Sequence, residues 1–251
     1  MYLVIPHFSN KYNEAERCPQ KAVSMSPALL KSCYNEVLIM DCIDKKDLIG
    51  IFNEIRKVFS EQKEELLRLD SAIGDGDLGL TMEAGFMKIC ENFSNLEAEE
   101  DMGVLLKKSG FAMAAAAPST MGTLIATAIM KSGDAVKGKA CIDRQDIPEM
   151  IKNAIAGIEQ RGKAKRGEKT ILDSLYSAYE SCEAAVKNDL PLTEVFRVTY
   201  EGAKKGVEDT KAMQSVHGKA AVYREKTIGR QDPGATAGMY IFKGIYDYYL
   251  K

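Results

Sequence analysis

From residue 44 to residue 250 the apolar side chains return largely at three- and four-residue steps, and no convincing two-residue alternation follows residue 45. Such spacing lines one face of an α-helix, whereas a half-buried strand requires alternation. A chain patterned this way must bury helix face against helix face. Asp44 or Asp47 can cap the first helix, whose apolar positions are Leu48, Phe52, Ile55, Phe59, Leu66 and Leu69. Residues 80–93 form a second helix (Met82, Phe86, Ile89, Phe93) and residues 102–117 a third. Pro118 ends that run and can begin a fourth helix over 119–131. The fifth starts at Asp146 and reaches about residue 160, and the sixth covers 170–187 with Leu172, Leu175, Tyr179, Cys182 and Val186 on one face. Pro191 opens the seventh, which carries Leu192, Val195, Phe196, Thr199 and Ala203 inward. After a loop of 213–232 the last helix spans 233–250 with Ala237, Ile241, Ile245 and Tyr248 together.

Eight amphipathic helices with mostly short connections predict an all-α bundle, and the absence of a low-complexity linker predicts one domain over 44–251. Residues 1–43, interrupted by Pro6, Pro19 and Pro27, have no clean period. They read as an N-terminal extension that could carry a strand or an oligomer contact. The net charge of −2 gives no general basic field for nucleic acid, so no nucleic-acid partner is expected. The apolar start ends at His7, and no other uninterrupted apolar run is long enough to span a bilayer. Six cysteines, at 18, 33, 42, 90, 141 and 182, have no C-x-x-C spacing and read as reduced thiols. A cytoplasmic protein with no membrane contact is the expectation.

Within that helical pattern one loop is chemically distinctive. Asp70, Asp75 and Asp77 fall within eight residues, with Gly74, Gly76 and Gly79 around the last two. Glycine allows the turns that would aim these carboxylates at one point. At roughly 5 Å and an effective dielectric of about 20, each pair repels by on the order of 3 kcal/mol. A hard cation such as Mg²⁺ or Ca²⁺ would relieve this. An EF-hand is excluded by register: the twelfth position is Thr81 counted from Asp70 and Phe86 counted from Asp75, not glutamate. Taken alone, Asp-Gly-Asp reads more simply as a solvated turn.

Three further loops carry polar and glycine residues. Residues 117–123 (Ala-Pro-Ser-Thr-Met-Gly-Thr) turn into a helix whose free amides could hold phosphate, although on its own the loop reads first as an N-cap by Ser119 or Thr120. Residues 161–170 are basic with two glycines, and residues 218–234 gather Lys219, Arg224, Lys226, Arg230 and Asp232 before a Pro-Gly helix start. A nucleoside triphosphate brings a charge of about −4 and three aspartates −3, so two Mg²⁺ with these lysines and arginines would balance the site as in phosphoryl transfer. P-loop, Rossmann and protein-kinase glycine fingerprints are absent.

Leu69-Asp-Ser-Ala-Ile-Gly-Asp-Gly-Asp77, Gly167-Glu-Lys-Thr-Ile-Leu-Asp173 and Thr227-Ile-Gly-Arg-Gln-Asp-Pro-Gly-Ala-Thr236 resemble, in order and rough spacing, the nucleotide-binding L subunit of dihydroxyacetone kinases. The likeness covers about residues 45–250. It implies a barrel of eight antiparallel helices with ADP or ATP and two Mg²⁺ at one end. By that resemblance Asp70, Asp75 and Asp77 are the metal ligands, and Leu78, Gly79, Leu80 and Thr81 lie against phosphate. Ser119, Thr120 and Gly122 form the second phosphate-facing loop, Gly162 and Ile171 flank adenine, and Lys219, Asp232, Pro233 and Gly234 close the pocket. No catalytic residue is assigned beyond these.

This chain departs from the family at Leu78 and Leu80, where a polar His-Gly-Thr-Asn run is usual, at Ala114–Ser119 in place of Gly-Gly-Ala-Ser-Gly-Pro, and at Lys219, where arginine is usual. The family's L subunit passes its phosphoryl group to dihydroxyacetone held by a separate K subunit through a histidine. His7 and His217 lie in no recognisable site of that kind, so a K-type partner is expected, and a phosphotransferase-system M subunit or a homodimer are further options. The alternative is a non-enzymatic nucleotide-sensing module, motivated by Leu78 and Leu80.

Overall fold

In the computed structural model, residues 42–251 are described. Nine α-helices form among them: α1 (Lys45–Glu61), α2 (Lys63–Ser71), α3 (Leu78–Asn92), α4 (Met102–Ala116), α5 (Thr120–Ala135), α6 (Asp146–Gly162), α7 (Ile171–Lys187), α8 (Leu192–Asp209) and α9 (Pro233–Tyr249). The first two are halves of the single helix expected over 44–69. Residues 60–65, Ser-Glu-Gln-Lys-Glu-Glu, offer no apolar side chain to pin that stretch, and the chain bends at Gln62 (φ −100°, ψ 10°).

The helix starts are set by side chains the sequence supplies. Asp44 and Asp47 both act at α1: Asp44 accepts the Asp47 N–H (2.8 Å) while Asp47 accepts the Asp44 N–H (3.1 Å). Asp101 caps α4, Ser119 caps α5, Thr170 caps α7 and Asp232 caps α9. Each such cap contributes about 1 kcal/mol.

Neighbouring helices pack in a closed circuit: α1 on α3, then α3 to α4, α5, α6, α7, α8 and α9 in turn, and α9 back on α1. Short connections between packed neighbours make successive helices antiparallel. The expected all-α bundle is therefore a ring, with its core inside. Phe59 of α1 is fully buried, stacked on Phe86 of α3 (4.9 Å, 16°) and edge-on to Tyr240 of α9 (6.3 Å, 88°). Burying one phenylalanine contributes about 2–3 kcal/mol. An apolar cavity of about 170 Å³ remains within the ring, bounded by Phe52, Phe86, Ile125, Ile151 and Phe242 among others. Among the described residues no helix is long and apolar enough to cross a membrane.

One expectation is corrected. The described residues hold one short strand pair, β1 (Cys42–Ile43) antiparallel to β2 (Ile142–Asp143), in the register Cys42↔Asp143 and Ile43↔Ile142. Two residues are too few to show alternation in the sequence. That pairing also brings Cys42 and Cys141 together in a disulfide, with Cα atoms 6.0 Å apart across a sequence separation of 99. The reading of all six cysteines as reduced thiols fails here because the partners are remote in sequence. Cys90 and Cys182 are free. Burial pushes both thiols up, Cys182 to about 11, which disfavours the reactive thiolate. Cys18, Cys33 and the expected N-terminal extension lie outside the described residues, except for its last two positions.

Candidate functional site

The aspartate loop leaves the C-terminal end of α2 and returns as α3. Asp70 fastens it, since its Oδ2 accepts the backbone N–H groups of Asp77 (3.0 Å) and Leu78 (3.2 Å). Gly76 takes a left-handed φ of 74°, and a Cβ on Gly74 would collide with the carboxylate and carbonyl of Asp70. The loop thus needs glycine at both places. One carboxylate oxygen from each of Asp70, Asp75 and Asp77 lies within 4.8 Å of the others. Burial, and then the charges of Asp75 and Asp70, raise the Asp77 carboxyl above its ordinary range. Asp75 is shifted down instead, because the Lys219 ammonium is hydrogen-bonded to it. Three converging carboxylates with hard oxygen donors suit Mg²⁺.

The loop forms one wall of a cleft of about 360 Å³. Its other walls are Ser119 and Thr120 at the start of α5, Thr170 and Ile171 at the start of α7, and Asp232, Pro233 and Gly234 at the start of α9, with Leu78 at the start of α3. Four helix N-termini therefore meet at one end of the ring, as alternation around an antiparallel circuit requires. Each contributes roughly half a positive charge and free N–H groups, a setting suited to an anion such as phosphate. Gly162, at the end of α6, completes the rim.

Of the residues expected from sequence, Asp70, Asp75, Asp77, Leu78, Ser119, Thr120, Gly162, Ile171, Lys219, Asp232, Pro233 and Gly234 all line this cleft. Gly79, Leu80, Thr81 and Gly122 do not. The helix turns by about 100° per residue, so the positions after Leu78 rotate away from the cleft. Gly79 is buried against the carbonyl of Lys63, Leu80 is 53% exposed, and the Thr81 N–H bonds back to the Asp77 carbonyl (2.9 Å). Gly122 is buried and donates its N–H to the Ser119 hydroxyl (3.0 Å), which is the plain N-cap the loop suggested on its own.

The cleft also contains Lys169 and Thr170, from the end of the basic loop 161–170, and His217, none of which the sequence assigns an individual role in the site. His217 Nε2 lies 2.6 Å from Glu168 Oε2, tying the loop after α8 to the loop before α7. The basic run 161–170 is part of the fold: Arg166 pairs with Glu180 and stands 5.4 Å from the centre of the Tyr176 ring.

Asp232 is buried, accepts the Ala235 N–H (2.7 Å), and donates its own N–H to Thr210 (3.0 Å). Burial pushes its carboxyl up to about 7. With its folded value raised, its protonated form favours folding below pH 4, and that contribution is lost as pH rises through 7. Asparagine caps as well as aspartate. Asp232→Asn should therefore melt above the native chain at pH 8, by up to about 4 kcal/mol, with the gap closing toward pH 4. Thermal melts across that range check it, and a gap constant with pH would refute it.

An all-helical ring with a carboxylate cluster and four helix N-termini at one end defines a class of helical barrels suited to binding cations and anions together. The chain belongs to the DAK2 domain family, which it matches over residues 72–247. It is similar to the ADP-binding subunit DhaL of the PEP-dependent dihydroxyacetone kinase of Escherichia coli, 28% identical over 201 residues, covering 80% of this chain and 95% of that protein. It is also similar to the L-erythrulose kinase of Pectobacterium atrosepticum, 28% identical over 184 residues, covering 73% of this chain and 31% of that one. Among solved structures, the dihydroxyacetone kinase from C. freundii in complex with AMP-PNP and Mg²⁺ shares the fold, with a TM-score of 0.62 and 22% identity over 79% of this chain. This chain spans about a third of that kinase, 33% of its length.

Proposed function

We propose that this chain is the nucleotide-binding subunit of a small-ketose kinase, holding Mg²⁺ and ADP or ATP in the cleft and passing a phosphoryl group to a sugar on a separate subunit. The observation that carries this is the meeting of the Asp70–Asp75–Asp77 cluster with four helix N-termini and Lys219 in one cleft. Asp70, Asp75 and Asp77 would hold two Mg²⁺, which offset the charge of the phosphates and of the transferring group. Ser119 and Thr120 present hydroxyls and amides where phosphate would lie, and Gly162 and Ile171 would flank the base. Lys219 pairs with Asp75 of the cluster and supplies a positive charge beside it.

Relatives named as ADP-binding subunits support a separate K-type subunit as the sugar carrier. Dihydroxyacetone and erythrulose are both substrates in the names of relatives, and either fits this reading. The phosphoryl donor is ATP, or a phosphotransferase-system protein acting on bound ADP.

The competing reading, a nucleotide sensor without transfer, drew on Leu78 and Leu80. Only Leu78 faces the cleft, so half of that motive is gone. Native mass spectrometry of the purified protein, with and without EDTA, should find ADP with two Mg²⁺ that EDTA removes. Adding a K-type subunit, ATP and dihydroxyacetone should then yield sugar phosphate. Absence of nucleotide binding at millimolar Mg²⁺ and ADP would sink the proposal, and binding without transfer would favour the sensor.

A further inference from the structure

Lys169 is only 2% exposed. Its ammonium donates to four main-chain carbonyls: Thr210 (2.8 Å), Met213 (3.2 Å), Thr227 (2.7 Å) and Arg230 (2.6 Å). An ammonium has three N–H groups, so four acceptors enclose it as a cage rather than pair with it singly. These carbonyls come from two short stretches, 210–213 and 227–230. Between those stretches runs the segment that carries His217, Gly218 and Lys219 into the cleft. The same two ends are joined by the Gly229 N–H to the Lys211 carbonyl (2.7 Å) and by the Ser215 N–H to the Thr227 hydroxyl (3.0 Å). Without a cation, the converging carbonyl dipoles would face one another in a buried space.

The backbone at Lys169 argues in the same direction. Its φ is 58°, a region where lysine carries a penalty that glycine would not. The position therefore carries this side chain against local backbone preference. Asp173 and Asp232 are the opposite charges that act on it, and both belong to neighbouring helix starts, α7 and α9. Lys169 thus joins the starts of two helices to both ends of one loop.

We propose that Lys169 is a positioning residue for the nucleotide site: its ammonium ties 210–213 to 227–230 and so holds Lys219 against the aspartate cluster. The link to affinity rests on the nucleotide-binding function proposed above, while the link to the loop does not.

The test uses the full chain and two readouts. In nucleotide-free protein, Lys169→Met should speed amide exchange at Ser215 and Gly229 by about tenfold or more, while protection in α1, α4 and α5 stays within about twofold. With Mg²⁺ and ADP, Lys169→Met should raise the dissociation constant about tenfold, and adding Lys219→Met should then change it by less than about twofold, although Lys219→Met alone costs about tenfold. Propylammonium should restore affinity to Lys169→Ala, and tetramethylammonium at the same ionic strength should not. Additive effects of the two lysines, no rescue, unchanged exchange in 213–230, or lost protection around the whole ring would each overturn the proposal. If the native chain binds no ADP, the proposed function fails, and the exchange readout still decides the role of Lys169 in the loop.

Discussion

Asp77→Asn should leave the metal-free protein at least as stable as the native chain and abolish the stabilisation that Mg²⁺ and ADP confer together. The two effects have opposite signs because the same carboxylate is a liability alone and a ligand when a cation is bound. In the metal-free cluster, Asp77 is desolvated and repelled by Asp75 and Asp70, while Asp75 is offset by Lys219. Removing its charge relieves that repulsion, and the loop survives because its fastening bonds run from the Asp77 backbone N–H to Asp70. With ligand present, a native chain at a hundred times its dissociation constant gains about 2.7 kcal/mol. For a body of some 210 residues that is a rise in melting temperature of roughly 5–10 °C. Scanning fluorimetry with and without Mg²⁺ and ADP reads both effects. A variant that melts lower without ligand and still shifts upward with it would show Asp77 to be a structural residue rather than a metal ligand.

What could be read in advance and what could not divide along sequence distance. Asp70, Asp75 and Asp77 are contiguous with the glycines that shape their loop, so their convergence was legible. The helix starts at Ser119, Thr170 and Asp232 were legible for the same reason, since capping chemistry is local. The pairing of Lys219 with Asp75 spans 144 residues, and that of Cys42 with Cys141 spans 99; neither leaves a local trace. Lys169 was hidden more deeply, because its partners are main-chain carbonyls that any residue supplies. Gly79, Leu80 and Thr81 differ for another reason. Motif resemblance extends along the chain, whereas the helix that begins at Leu78 turns the side chains that follow away from the cleft wall.

Gly244→Val should destabilise the chain strongly, although it lies outside the cleft. The ring closes where α9 returns to α1, and Gly244 is at that seam. A Cβ there would stand 2.6 Å from Ile55 Cα and 2.8 Å from Ile55 N. Those are backbone atoms of a buried helix, so no side-chain rotation can make room. The helices must separate, and Phe59 and Tyr240, which meet across the same seam, would lose contact. Overpacking a core typically costs about 1–3 kcal/mol, and valine here adds the loss of neighbouring packing. Gly50, on α1, gives the control. A Cβ at that position would meet the Tyr248 ring rather than backbone, and a ring can swing. Gly50→Ala should therefore lower the melting temperature by clearly less than Gly244→Ala, and Gly244→Val by more than either. If the two alanine variants melt together, the seam is more compliant than its close approach implies, and closure of the ring does not depend on glycine at that crossing.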